Sequence, residues 1–157
     1  MPSLWDLGEK LAGGDREPLV TLTMFKKILF PIHHNREAQT ALKVVVDIVE
    51  AHHSELVLLV VADTTVIDAA VVGEETPTTE NLGAVLAAVQ AKLAEHSITA
   101  EVIQREGKPA FTICDVADEI NADLIAMGSR GLDDEHANES VTNRVIGLSP
   151  CPILVVP

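Results

Sequence analysis

Hydrophobic positions follow two different spacings along this chain, and the two spacings alternate from one segment to the next. Four short runs are almost continuously apolar, which is typical of strands buried on both faces of a sheet. A fifth run alternates apolar and polar residues, as a half-buried strand does. The five predicted strands cover residues 26–32, 56–61, 98–104, 122–127 and 151–156, and the alternating run is the third of them.

Between these strands lie segments whose apolar residues recur at the spacing of an amphipathic helix, for example Leu42, Val45 and Val49. Residues 62–79 contain turn-forming residues and predict a long loop, a kind of segment that is often functional. Strands that alternate with helices predict an α/β fold of three layers: an open, five-stranded parallel sheet with helices on both faces. The four predicted helices cover residues 35–51, 79–97, 110–121 and 138–148.

Residues 1–23 precede the first predicted strand and do not share the pattern of the rest. Their apolar residues, among them Leu4, Trp5 and Leu7, are too few to form a domain. We therefore expect an N-terminal appendage over 1–23 and one compact domain over 24–157. The appendage has two interpretations, a poorly ordered tail or an arm that packs on the body or on a second subunit.

Composition and charge narrow the classes of partner. The chain has 157 residues, of which 47% are hydrophobic and only 3% aromatic, so the core is expected to be aliphatic. It carries 11 basic and 24 acidic residues, a net charge of −13, which argues against binding to nucleic acid or to an anionic membrane. No apolar run approaches the ~18 residues of a membrane span. With two isolated cysteines and no recognisable secretory signal, the sequence predicts a soluble, cytoplasmic protein.

Candidate ligand-binding residues lie where the predicted strands end. In open α/β sheets, ligands bind beyond the carboxyl ends of the strands, at the point where the strand order reverses. The sharpest local signal is the segment GSRG at 128–131, because glycines let backbone amides approach a phosphate. The same two glycines can equally serve a turn that needs glycine conformations. The candidates at these ends are Pro31, Ile32, His33, Val61, Met127, Gly128, Arg130 and Gly131.

Three stretches of the chain resemble the universal stress protein family. They are KKILFPI at 26–32, GKPAFTICDVADEINADLIAMGSRG at 107–131 and SPCPILVVP at the end, so the resemblance covers about residues 24–157. It implies a Rossmann-like sheet with strand order 3-2-1-4-5, and homodimers that form through the last strand. One branch of the family binds ATP through the motif G-x2-G-x9-G-(S/T), and another branch lacks the motif and does not bind ATP.

Compared with that motif, the present sequence matches three of its four positions. Gly128 and Gly131 supply the first two glycines, Val141 stands at the third, and Thr142 fills the hydroxyl position. His33 occupies the place of the aspartate that usually ends the family's first strand. Four carboxylates in 132–140 would repel a triphosphate unless Mg²⁺ intervened. The site is therefore expected to favour AMP or an uncharged adenosine-like ligand over ATP, if it binds any nucleotide.

Metal binding and catalysis find little support in the sequence. Neither His33-His34 nor His52-His53 has the spacing of a chelating pair, because adjacent side chains diverge on both strands and helices. Cys114 and Cys151 have the pattern of small buried hydrophobic residues. We therefore expect no metal site and no catalytic residue.

The sequence thus predicts a dimeric, universal-stress-type regulatory domain with a degenerate adenine-nucleotide site and an unidentified protein partner. Its expected role is to change partner interactions in a stress response when a small ligand binds. Two alternatives stay open at this stage. One is a dimer of the same fold that interacts with proteins and binds no nucleotide, and the other is a weak nucleotide hydrolase.

Overall fold

The computed structural model describes residues 24–32, 37–63, 79–128 and 141–157. In these ranges five strands alternate with four helices, in the order that the hydrophobic pattern predicts. The strands are β1 (Lys27–Ile32), β2 (Glu55–Asp63), β3 (Ala100–Gly107), β4 (Leu124–Gly128) and β5 (Ile153–Val156). The helices are α1 (Glu37–His52), α2 (Thr79–Glu95), α3 (Pro109–Glu119) and α4 (Val141–Leu148).

The strands form one parallel sheet in the order β3-β2-β1-β4-β5. Both the fold class and the strand order expected from the sequence are confirmed. β1 is the central strand, with β2 on one side and β4 on the other, and β3 and β5 are the two edges. A parallel sheet has to be covered on both faces because each strand buries side chains in both directions.

Two hydrophobic clusters provide this cover, one on each face of the sheet. On the first face, Ile28, Phe30 and Ile32 of β1 pack with the apolar stripes of α1 and α2. On the second face, Leu29 of β1 packs with α3 and with Val145 of α4. Each fully buried aliphatic side chain contributes about 1.5–3 kcal/mol relative to an exposed one. The core is aliphatic, as the composition predicts, with Phe30 as a large buried exception.

The largest difference from the predicted boundaries is in β3. The pattern predicts a strand over 98–104, whereas β3 runs from Ala100 to Gly107. Its polar end is extended because it pairs residue by residue with β2, as far as Asp63↔Gly107. β3 is an edge strand, so its exposed residues carry no hydrophobic signal. The predicted loop over 62–79 is shorter in the structure, because Ala62 and Asp63 continue β2 and Thr79 begins α2. The rest of this loop, 64–78, lies outside the described residues, as do residues 138–140 of the predicted last helix and the appendage over 1–23.

A helix that crosses a bilayer needs about 20 consecutive, mostly apolar residues. Among the described residues, no helix is both long enough and apolar enough to do so.

Gly107 closes β3 in a backbone conformation that other residues rarely adopt, with a φ of 148°. A Cβ at this position would lie 2.7 Å from Thr112 Oγ1. We expect Gly107→Ala to lower the free energy of unfolding by about 1–3 kcal/mol in urea titrations. Gly83→Ala is the matched control: Gly83 lies within α2 with nothing near its missing Cβ, and the change should stabilise by about 0.5–1 kcal/mol. Equal effects of the two substitutions would contradict the role of Gly107.

The two thiols belong to the cluster on the second face, and the protein raises the pKa of both. Burial raises the pKa of Cys114, and the charges of Asp115 and Cys151 act in the same direction. Burial also raises the pKa of Cys151, partly offset by a hydrogen bond with Ser149. Cys114 is buried as predicted, whereas Cys151 is only half-buried because it precedes an edge strand.

The folded state keeps these two thiols protonated to a higher pH than the unfolded state does. Their contribution to the free energy of unfolding is therefore fully present below the ordinary thiol pKa. It is lost as the pH rises through the raised pKa values of the folded state. We expect alkylation by iodoacetamide near pH ~8.5 to be slower than that of an unstructured thiol peptide. The loss of stability at higher pH should be smaller in the Cys114→Ala, Cys151→Ala double variant. Alkylation at the peptide's rate would contradict the pKa directions.

Candidate ligand site at the switch point of the sheet

The order of the strands reverses between β1 and β4. From β1 the chain continues to β2 and β3 on one side, whereas β4 and β5 lie on the other side. The helices that follow β1 and β4 pack on opposite faces of the sheet, and in open α/β sheets this arrangement is the one at which ligands bind, beyond the carboxyl ends of the two strands. Ile32 ends β1 and Gly128 ends β4, so the candidate residues of both strands lie at the carboxyl end of the sheet.

At the opposite, amino end of the sheet, β1 is tied to the residue that precedes β4. The backbone N–H of Lys27 donates to Asp123 Oδ2 at 2.9 Å. The backbone N–H of Asp123 donates to the carbonyl oxygen of Lys27 at 2.8 Å. These bonds join residues 96 positions apart in the chain and set the register of β1 against β4. Sequence analysis did not single out Asp123, although its position directly before an apolar run is a usable signal.

Towards the carboxyl end, the pairing of β1 with β4 stops early. The paired residues are Ile28↔Leu124 and Leu29↔Ile125. By contrast, β1 stays paired with β2 as far as Ile32↔Val60, and β4 stays paired with β5 as far as Gly128↔Val156. Within the described strands, the assigned pairing of β1 with β4 therefore ends three residues before either strand does, at the switch point of the sheet.

The side chains at the ends of the central strands point into the cores and not towards a ligand. Ile32 and Met127 are each only 2% exposed, and they belong to the clusters on opposite faces of the sheet. Pro31 is also buried, whereas Gly128 and Val61 are half-buried. Any ligand at the carboxyl end of the sheet would therefore contact Ile32 and Met127 through their backbone. For this reason the side chains in the sequence give only a weak indication of a ligand site there.

The first turn of α4 lies beside the end of β4. Thr142 Oγ1 donates a hydrogen bond to the carbonyl oxygen of Gly128 at 3.3 Å. Since the single hydroxyl hydrogen is used in this bond, Thr142 has none left to donate to a phosphate in this conformation. Val141 is half-buried and packs against the cluster on the second face, as its place in the apolar stripe predicts. The structure therefore gives both motif positions a structural role.

Of the predicted site residues, the structure brings Pro31, Ile32, Met127 and Gly128 together, with Thr142 beside them. Val61 lies one position beyond the last pair of β2 with β1. His33, Arg130 and Gly131 lie outside the described residues. In the part of the chain that the structure describes, no group of three or more histidine, cysteine, aspartate or glutamate residues could hold a metal ion.

Comparison with solved structures finds the same fold in other proteins, two of them in complex with a nucleotide. The structure of the protein MJ0577 has a TM-score of 0.69 at 30% identity and covers 85% of this chain and 96% of its own. A universal stress protein in complex with cAMP has a TM-score of 0.64 at 19% identity, over 84% and 96% of the two chains. A universal stress protein from Archaeoglobus fulgidus in complex with dAMP has a TM-score of 0.56 at 18% identity. This match covers 85% of the present chain and 99% of the other. At these last two identities the likeness concerns the fold alone.

Sequence comparison extends over the same part of the chain. The universal stress protein Sll1654 of Synechocystis sp. is 50% identical over 138 residues, which make up 85% of this chain and 87% of that protein. The model of the universal stress protein family matches residues 24–157, which contain every described element. The resemblance inferred from the strand and loop motifs is thus confirmed, and the chain belongs to the universal stress protein family.

Proposed function

We propose that this chain is a cytoplasmic regulatory domain that binds an adenine nucleotide with a single phosphate at the switch point. The observation that carries this proposal is the switch point itself, where β1 and β4 end side by side and their assigned pairing stops early, with Gly128 and Thr142 adjacent. Nucleotide binding changes the protein surface at the carboxyl end of the sheet and thereby the affinity of this chain for a protein partner. No chemical step is part of this role.

Support for a nucleotide with one phosphate comes from three features. Two structural neighbours are complexes with cAMP and with dAMP, and each of these nucleotides carries one phosphate. Val141 contributes a side chain to the packed core where the motif of the ATP-binding branch has glycine. The four carboxylates in 132–140 repel additional phosphate charge, most strongly at low salt. The last two features disfavour a triphosphate more than a monophosphate.

A homodimer through β5 is the second part of the proposal, and the contrast between the two sheet edges supports it. The β3 edge exposes Glu101, Arg105 and Glu106, and charged side chains keep an edge from pairing with another chain. β5 has the sequence ILVV and offers no charge, and three of its four residues are only half-buried. Two copies that pair their β5 edges about a two-fold axis would cover this surface.

The first prediction concerns ligand choice. In calorimetric titrations the unmodified protein should bind AMP more tightly than ATP, with or without Mg²⁺. Val141→Gly should improve ATP affinity by about tenfold, and AMP affinity by less. The reason is that it removes the side chain that stands at the motif's third glycine position. Its lost packing should lower stability. Ile146→Gly is the matched control, since Ile146 is exposed on the same helix and should leave both affinities unchanged.

Tight ATP binding by the unmodified protein would contradict the proposed preference. Two further outcomes distinguish the alternatives. Failure of AMP to raise the thermal stability of the native state would favour an interaction dimer that binds no nucleotide. Release of inorganic phosphate from ATP by the unmodified protein, reduced in the Gly128→Ala variant, would favour a weak hydrolase.

The second prediction concerns assembly. Val155→Lys or Ile153→Lys should convert dimers into monomers or insoluble protein in sedimentation velocity, because a lysine on this edge places a charge in the strand pair. Gln104→Lys is the matched control, as it adds the same side chain at an exposed position of the opposite edge and should leave the dimer intact. Unchanged soluble dimers in both β5 variants would contradict pairing through this strand.

A further inference from the structure

The outer face of α2 differs from that of an ordinary surface helix. A helix that packs one side on a sheet normally turns charged or polar side chains to solvent. Over 83–91, the exposed residues of α2 instead carry no charge, and most of them are alanine. They lie away from Val89 and Leu93, which anchor α2 in the first hydrophobic cluster. We call the following exposed residues the alanine face: Ala84, Ala87, Ala88 and Ala91.

α1, on the same face of the sheet, shows the ordinary pattern. Its exposed positions include Lys43, Asp47 and Glu50, with one charge on each successive turn. Both helices contribute to the same cluster, so they differ in their outer surfaces and not in how they are anchored. Because small side chains let a second helix approach closely, the alanine face has the shape of a helix-docking surface.

The N-terminal appendage carries a complementary pattern in its sequence. In residues 3–12 the leucines recur at helical spacing, and they are Leu4, Leu7 and Leu11. The segment opens with a serine followed three residues later by an aspartate, which is typical of a helix start, and two glycines follow it. The sequence therefore predicts a short helix with one leucine stripe. A helix of this length is marginal in water by itself, so its leucines need a surface to pack on.

The described part of the chain begins close to α2. Phe25 is half-buried and packs against the first cluster, on the same side of the sheet as α2. Its ring centroid lies 5.5 Å from that of His52, the last residue of α1. Two residues earlier in α1, Glu50 Oε1 lies 2.9 Å from Nδ1 of His96, which follows the end of α2. The chain therefore enters β1 beside the end of α2.

The connection from the appendage is long enough to reach the whole alanine face. Residues 13–24 join the leucine segment to Phe25 and span at most about 40 Å when extended. α2 has 17 residues and is about 25 Å long. Met24, the last residue of this connection, is 74% exposed, so the chain joins the body of the protein at its surface.

We propose that the alanine face of α2 is the docking surface for residues 3–12 of the same chain. The leucine stripe packs against the small side chains of α2, and both apolar surfaces leave water. Other large hydrophobic side chains are exposed on α3 and α4, which pack on the second face of the sheet, whereas the chain enters on the first. The appendage is thus an arm of the folded domain and not an idle tail.

Trp5 provides the test, because it flanks the leucine stripe and is the one tryptophan of the chain. In the unmodified protein its fluorescence should lie at shorter wavelength than in a peptide of residues 1–23. The double variant Ala87→Glu, Ala91→Glu should move the emission to that of the peptide, because it places two charges under the leucines. Glutamate is a good helix former, so the far-UV circular dichroism should not change. The Tm should fall by about 2–4 °C.

The double variant Gln39→Glu, Thr40→Glu is the matched control. It adds the same two charges at exposed positions of α1 and should leave the emission of Trp5 unchanged. Leu7→Glu, Leu11→Glu should reproduce the effects of the α2 variant from the side of the arm. Combining these two sets of substitutions should lower the Tm no further than either set does, because each removes the same contact.

Two results of the fluorescence measurement would overturn the proposal. One is an emission of Trp5 in the unmodified protein that equals that of the peptide, and the other is an emission that the α2 variant leaves unchanged. If the α2 variant alters the sedimentation coefficient and not the emission of Trp5, a second copy of the chain covers α2, and the proposal is wrong.

Discussion

The pairing of β1 on both edges is the constraint on which the rest of this structure depends. Among the described strands, β1 is the one that joins the β2–β3 half of the sheet to the β4–β5 half. Its side chains enter both hydrophobic clusters, so the helices of the two faces are positioned against the same residues. A shift of β1 by one residue would exchange the side chains of the two clusters and disturb both cores at once.

The same strand also defines the candidate site. At its amino end, β1 is held to β4 by the bonds between Lys27 and Asp123. Towards its carboxyl end, the assigned pairing of the two strands stops at Leu29↔Ile125. The bonds at the amino end thus set the register of the two strands, and the proposed ligand site lies at the opposite end. Much of the recognition then falls to backbone groups, because the side chains of Ile32 and Met127 are buried.

β4 connects the two proposed functions of the molecule. One of its edges faces β1 and the ligand site, and its other edge pairs with β5, the strand proposed to join two copies. Thr142 ties the end of β4 to the helix that leads into β5. A ligand that alters the contacts of Gly128 therefore acts on a short path to the proposed interface. This path is a physical basis for regulation by a small molecule in this family member.

The sequence by itself determined the order of elements, the burial of the central strands on both faces and the family, because hydrophobic spacing and the motif residues from Gly128 to Thr142 are local properties. It also located the ends of β1 and β4 as the candidate site. Only the tertiary structure decided the length of β3, whose polar end is set by pairing with β2. The same holds for the bonds of Lys27 with Asp123 and of Thr142 with Gly128. These bonds depend on which strands and helices lie next to one another in the fold, and no local pattern encodes that arrangement.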